Sequence, residues 1–306
     1  MAQASIPVDL FNPGQVFACL GFLEAAEVLL GDAHGGFDWA DEAKLRFTLQ
    51  AEGDRKNPFE VVLEFLAEAQ LQRLAPAGYT DSIPKKKTKA KKTGNGEVQA
   101  ADGEANDSTA ADAPLCTLET FPAAEADRLT LPLRLTNGCH YLDLTHWCDG
   151  SSRNPFKLFA GQQRSAAIAR QMLEAFRKLW KERRNDVIQD PFGQTVPLGG
   201  SSFKFDARKA WTAIDAGYSP DEQGNDVEAS PVVEILGAIG LEHARPDEFE
   251  TRQVRYGVWR KLLPPVLARA ALGGVFVGIP MRIFHFTLDL AGKNKIVTFA
   301  QEEVTL

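Results

Sequence analysis

Residues 156–185 read FKLFAGQQRSAAIARQMLEAFRKLWKERRN. From Gln162 onward this is the strongest helical pattern in the chain. Ile168, Met172, Leu173, Phe176, Leu179 and Trp180 recur on one side at the helical period. Arg170, Arg177, Lys181 and Arg184 fall within a narrow arc on the opposite side. At the rise of an α-helix that basic stripe is roughly 20 Å long. Such a helix can bury one face in a core and lay the other along a phosphate backbone. Asn154-Pro155 and Gly161-Gln162-Gln163 lead into it as a loop rich in amides, flanked by Lys157 and Arg164. Side-chain amides donate and accept at once, so Asn154, Gln162 and Gln163 are candidate contacts to base edges or phosphates. The rest of the chain reads as a frame for this helix.

The 306 residues, 44% of them hydrophobic, suffice for a sizeable core in one large or two modest domains. No apolar run approaches a membrane span, and no signal segment opens the sequence. Four cysteines in a chain of this length do not form a disulfide scaffold, which sets a reducing cytoplasm as the expectation. The net charge of −7 is unevenly spread. Residues 1–81 hold 5 basic against 13 acidic side chains; residues 151–184 hold 9 against 2; residues 251–282 hold 6 against none. For a polyanionic partner the local field matters more than the total.

Toward the N-terminus, residues 5–11 read as a strand and Asn12-Pro13-Gly14 as a helix start. There Asn12 is the cap, and proline sits where its missing N–H costs nothing. Phe17, Leu20, Ala25 and Val28 are expected on the apolar side of that helix. Residues 37–39 and 44–51 alternate as strands do. Asn57-Pro58 repeats the helix start, with helix expected to about Leu74. Residues 1–81 thus form a β-α-β-β-α unit. From 82 to 114 the composition collapses to small and charged residues, including the run from Lys85 to Lys92, and no structure is expected. The remainder, 115–306, is expected as an α+β part carrying the basic helix.

In that part residues 129–135 and 139–147 flank Thr136-Asn137-Gly138, a hairpin signal. Residues 203–206 read as a strand, and 207–214 as a helical turn or two. Ser230-Pro231 starts a helix to Gly240. Strands are expected at 252–259, 282–290 and 295–299, with a helix at 263–272 between the first two. Irregular alternation makes the class α+β, with mixed, mainly antiparallel sheets packed against helices.

Chemistry-bearing sets are sparse. Cys139, His140, His146 and Cys148 are four zinc-type ligands, but they ride on a strand whose side chains alternate faces instead of on paired knuckles. Asp143 and Asp149 lack a third metal ligand and a base. Gly199-Gly200-Ser201-Ser202 and Gly273-Gly274 lack the lysine and the spacing of a phosphate loop and read as turns. No coherent catalytic set emerges, so no enzymatic role, cofactor or metal is expected. Arg252, Arg255 and Arg260 interleave with Tyr256 and Trp259, a mixture suited to sugar-phosphate contact plus stacking, and equally to a charged strand edge.

Four stretches carry a resemblance: residues 12–21 (NPGQVFACLG); Tyr141-Leu142-Asp143 with Trp147; residues 156–163 (FKLFAGQQ); and residues 231–246, with Glu234-Ile235-Leu236, Gly240-Leu241 and Arg245-Pro246. In this order they resemble the large-subunit-like protein of type I-U (also called I-G) CRISPR–Cas systems, over most of the chain outside 82–114. The resemblance implies a non-catalytic subunit of an RNA-guided surveillance complex. Its partners would be guide RNA, the other subunits, target double-stranded DNA and a helicase-nuclease. Guide pairing would supply sequence specificity, while the protein reads a short flanking motif and backbone shape. The acidic N-terminal unit would dock on neighbouring subunits. Two other readings stand beside it: an endoribonuclease that processes guide RNA with His146 or His285 as base, and a purely architectural subunit.

Overall fold

Asn12-Pro13 opens α1 (Pro13–Leu29), and every residue of α1 from Pro13 to Ala26 is buried. A helix apolar on all sides belongs at the centre of a core, and α1 is there. Val28, expected on its apolar side, is exposed. The structure, a computed structural model, describes residues 1–53, 56–81, 113–123, 125–148, 156–159, 163–198, 202–210, 227–291 and 294–303. The fold is α+β. The expectation of an unstructured insertion falls almost wholly outside the described residues.

Around α1 the first unit builds β1 (Ala2–Pro7), β2 (His34–Asp38) and β3 (Arg46–Ala51), an antiparallel sheet in the order β1-β3-β2. Next comes α2 (Pro58–Glu68), where Asn57 acts as the cap its sequence announces: its Oδ1 accepts from Phe59 N at 3.0 Å. The helix ends at Glu68, short of the expected Leu74, because residues 70–76 form β4 (Gln70–Pro76). β4 pairs parallel with β5 (Leu115–Leu118) and antiparallel with β6 (Leu133–Thr136), which pairs with β7 (Tyr141–Leu144) in the expected hairpin. These ladders join residues before position 82 to residues after 114, and one continuous hydrophobic core runs from Ile6 to Ala300.

The basic amphipathic helix is α3 (Ser165–Gln189), 25 residues long. Its apolar side is as read: Ile168, Met172, Leu173, Phe176 and Leu179 are buried and Trp180 half-buried. A short ladder, β8 (Val196–Pro197) with β9 (Glu228–Ala229), precedes α4 (Pro231–His243). Ser230 caps α4 by accepting from Val233 N. The segment 203–206 joins no ladder, its backbone turned at Lys204 with φ +65°, and residues 207–209 make one 3-10 turn. A larger sheet follows, with β10 (Asp247–Glu250), β11 (Gln253–Trp259), β12 (Met281–Ala291) and β13 (Asn294–Val297) in that order, and β14 (Gln301–Glu302) also on β12. The helix α5 (Pro265–Leu272) connects β11 to β12.

The organising element is therefore the α1–α4 pair and not α3. Aromatic rings tie that pair to its surroundings. Phe17 meets Tyr256 at 5.9 Å and Phe286 at 6.1 Å; Phe22 meets Phe59 at 4.9 Å. Trp259 bridges the two sheets, packing on Phe37 at 5.0 Å and donating Nε1–H to the Gly35 carbonyl at 2.7 Å. A buried polar knot joins three chain segments. Asp206 accepts from Asn12 Nδ2 at 2.9 Å, from Ser230 N at 2.9 Å and from the Arg208 guanidinium. Asn12 is thus not the side-chain cap of α1 that its position suggests. Its amide is turned to Asp206, and its Oδ1 accepts from Ala207 N. Glu234, fully buried in the first turn of α4, accepts from Asp206 N at 3.1 Å.

Candidate nucleic-acid interface

α3 runs beside α2, and two cations of its stripe are spent on that seat. The Arg177 guanidinium donates to the Ala67 carbonyl at 3.0 Å and to the Ala69 carbonyl. These lie at the C-terminal end of α2, where backbone acceptors lack intrahelical donors and a cation is favoured. At Arg183 the backbone of α3 leaves helical dihedrals. The next residue, Arg184, reaches Glu60 at 3.0 Å and Glu64, and lies 4.6 Å from the Trp180 ring centroid. The hydrogen bonds to Glu60 and Glu64 raise the Arg184 pKa above the usual guanidinium value. The face opposite the apolar stripe is thus partly an intramolecular interface, which the spacing of charges along one helix does not reveal.

The other expected contacts divide further. Asn154 and Gln162 lie outside the described residues. Lys157 is half-buried, its ammonium 5.9 Å from the Phe159 ring. Gln163 is half-buried, and its Oε1 is enclosed without a hydrogen-bond partner among the described residues. Arg164 occupies the N-cap position of α3, and Arg164 and Arg170 are half-buried. Lys181 is exposed and makes no ion pair among the described residues. Lys178, which the stripe reading passed over, is exposed beside it. Its place three residues before Lys181, one helical turn away, carries that signal.

The second basic group is dispersed. Arg252 sits in the β10–β11 turn with φ +63°, its N–H donating to Glu248 at 2.6 Å. Arg255 pairs with Glu303 at 2.7 Å over the Phe249 ring. Its neighbour Tyr256 is buried and donates to the Leu10 carbonyl at 2.7 Å, and Trp259 is buried too, so neither ring can stack on a base. Only Arg260, with Lys261 after it, stands exposed.

His146 is buried against Trp147 and Phe205, and His285 lies 3.7 Å from Glu303. Asp143 is held by Arg134 through two bonds at 2.7 and 2.8 Å, while Asp149 lies outside the described residues. Cys139 and His140 are exposed at the hairpin turn, whereas His146 and Cys148 are buried. Among the described residues no three His, Cys, Asp or Glu side chains gather as a metal site. Nor is any described helix long and apolar enough to cross a membrane.

Compared with known protein families, with curated proteins and with solved structures, the chain matches none.

Proposed function

We propose that this chain is a non-catalytic binding subunit of an RNA-guided CRISPR surveillance complex. In this reading it contacts target DNA with the solvent side of α3 and the segment that leads into it. The sequence resemblance supplies the class. The observation that carries the contact is the division of labour along α3. Arg177 and Arg184 anchor the helix to α2, while Lys178 and Lys181 stand exposed without a carboxylate partner among the described residues. A rigidly seated helix with cations toward solvent can hold a phosphate backbone in register without reading bases. Reading a flanking motif and recruiting the helicase-nuclease belong to the same proposal.

The test is charge reversal, Lys178→Glu with Lys181→Glu, in the assembled complex, with DNA affinity followed against salt. Loss of two phosphate contacts lowers the slope of log affinity against log salt by about 2. An unchanged slope removes α3 from the interface. It favours the architectural reading instead, which the internal engagement of Arg177 and Arg184 already supports.

A further inference from the structure

The helix α5 buries Pro265, Ala268, Ala271 and Leu272 against the core. Its outer side is also apolar. Val266 is 69% exposed, Leu267 44%, Val275 58% and Phe276 74%. All four lie on this helix or just after it. Val266 and Ala270 are one helical turn apart. The helix then closes on Gly274, at φ +81°, with Val275 N–H donating to the Ala270 carbonyl at 3.0 Å and Gly274 N–H to Ala271 at 2.9 Å. That pattern folds the residue after the glycine back onto the last turn. Val275 therefore extends the strip begun by Val266 and Ala270, and Phe276 follows it. At those exposures the four residues together offer on the order of 400 Å², within the range of the largest apolar patch on a typical soluble protein, which is often functional.

Its rim is basic. Residues 251–282 contain six cations and no acid. Three of the six are neutralised inside the molecule: Arg255 by Glu303, Arg269 by Glu24 and Arg282 by Glu302 and Glu42. Arg252 is half-buried in the β10–β11 turn, while Arg260 and Lys261 make no ion pair among the described residues and are exposed. Arg260 N–H donates to the Pro280 carbonyl at 3.1 Å, which holds this pair beside the end of the loop that carries Val275 and Phe276.

We infer that this surface docks a short amphipathic segment of a partner protein, with apolar side chains along one face and Asp or Glu beside them. The apolar strip selects the first feature and the exposed Arg260 and Lys261 the second. A nucleic acid is a poor occupant, because its phosphates would lie against Val266, Leu267 and Phe276. Self-association is disfavoured by area, since a stable interface covers about 800 Å² on each partner. An anionic membrane is disfavoured by the number of cations, because recognition of a lipid surface takes a cluster of about four or more and this surface offers two. The inference stands apart from the DNA reading, and its probes contain no nucleic acid.

The probe is a fluorescent helical peptide with leucines at i, i+3, i+4 and i+7 and glutamates on the rest of its surface. A counterpart with lysines for glutamates serves as control. The acidic peptide is expected to bind the whole chain saturably and the lysine peptide not. Val266→Ser with Phe276→Ser is expected to weaken binding by at least about tenfold. Arg260→Glu with Lys261→Glu, which touches no packed side chain, is expected to weaken the acidic peptide and admit the lysine peptide. Failure of the acidic peptide to bind overturns the inference, as does binding indifferent to both double variants. It is equally overturned if the serine variant instead abolishes binding to phosphatidylglycerol–phosphatidylcholine vesicles, or a concentration-dependent dimer seen by sedimentation.

Discussion

Gly21 and Gly240 face each other where α1 crosses α4: a Cβ on Gly240 would lie 2.9 Å from the Gly21 nitrogen and 2.1 Å from the Phe17 carbonyl oxygen. A Cβ on Gly21 would lie 2.0 Å from the Leu236 carbonyl oxygen. The obstacles are backbone atoms of buried helices, which no rotamer change can move aside. Gly240→Ala is therefore expected to force the pair apart and destabilise the fold by about 3 kcal/mol or more. Denaturant unfolding of the purified chain checks this. A loss below about 1 kcal/mol would mean that the helices separate without cost.

The Asp206 carboxylate joins the starts of α1 and α4 to the 3-10 turn at residues 207–209. It accepts from Asn12, from Ser230 N–H and from Arg208 at once, with no exposed side-chain surface. Asp206→Asn keeps the volume but turns an NH₂ toward donors and strips Arg208 of its countercharge. Breaking one side of a buried, hydrogen-bonded pair costs about 3–5 kcal/mol. The same unfolding experiment should show a loss of that order. A shift no larger than that of a surface substitution would show the knot to be replaceable.

What the sequence discloses follows the range of each interaction. Asn57 caps α2 through a bond spanning two residues, and Ser230 caps α4 through one spanning three. Both starts are legible from dipeptides. Asn12 carries the same signal, yet its amide is claimed by Asp206, 194 residues away. The apolar face of α3 is legible because period and burial coincide, but the fate of its cations depends on α2, more than a hundred residues earlier. The end of α2 is misjudged for a related reason. Leu71 and Leu74 continue an apolar pattern, and only the ladders to β5 and β6 make them strand. The central role of α1 and α4 leaves no stripe to find, since helices buried all round have no polar face. Among the candidate contacts, exposure of Lys181 matches its place on the polar arc, whereas Arg255 is absorbed by Glu303 near the C-terminus.

Arg177 and Arg184 separate two roles that one charged stripe would merge. Arg177 saturates carbonyls at the end of α2, and charge-assisted bonds of that kind contribute about 1.5–3 kcal/mol. Arg177→Ala is expected to cost stability in that range. Arg184→Ala removes a pair whose arginine is exposed, so its expected cost is smaller than that of Arg177→Ala and shrinks in high salt. Unfolding curves at low and high salt distinguish them. Equal costs for the two, both abolished by salt, would contradict a capping role for Arg177.

Glu234 makes stability depend on pH in a direction opposite to most carboxylates. Complete burial pushes its pKa up from the ordinary 4.5 to about 7. The Asp206 charge adds to the rise, while the Asp206 and Lys204 backbone N–H groups and the Lys209 ammonium oppose it. Arg208 stands near through its pairing with Asp206. With the folded pKa raised, the folded state holds a proton that the unfolded chain has released between about pH 4.5 and pH 7. The contribution is therefore complete below the unfolded pKa and lost as pH rises through about 7, a change of about 3 kcal/mol at most. Asp81 and Glu302, held below their ordinary pKa values, act in the other sense, but only as pH falls below the usual carboxylate range. Glu234→Gln keeps an acceptor for Asp206 N–H and removes the titration. Free energies of unfolding measured across that window should fall with rising pH in the parent chain more steeply than in the Gln variant. Parallel curves would show that Glu234 does not hold its proton in the folded state.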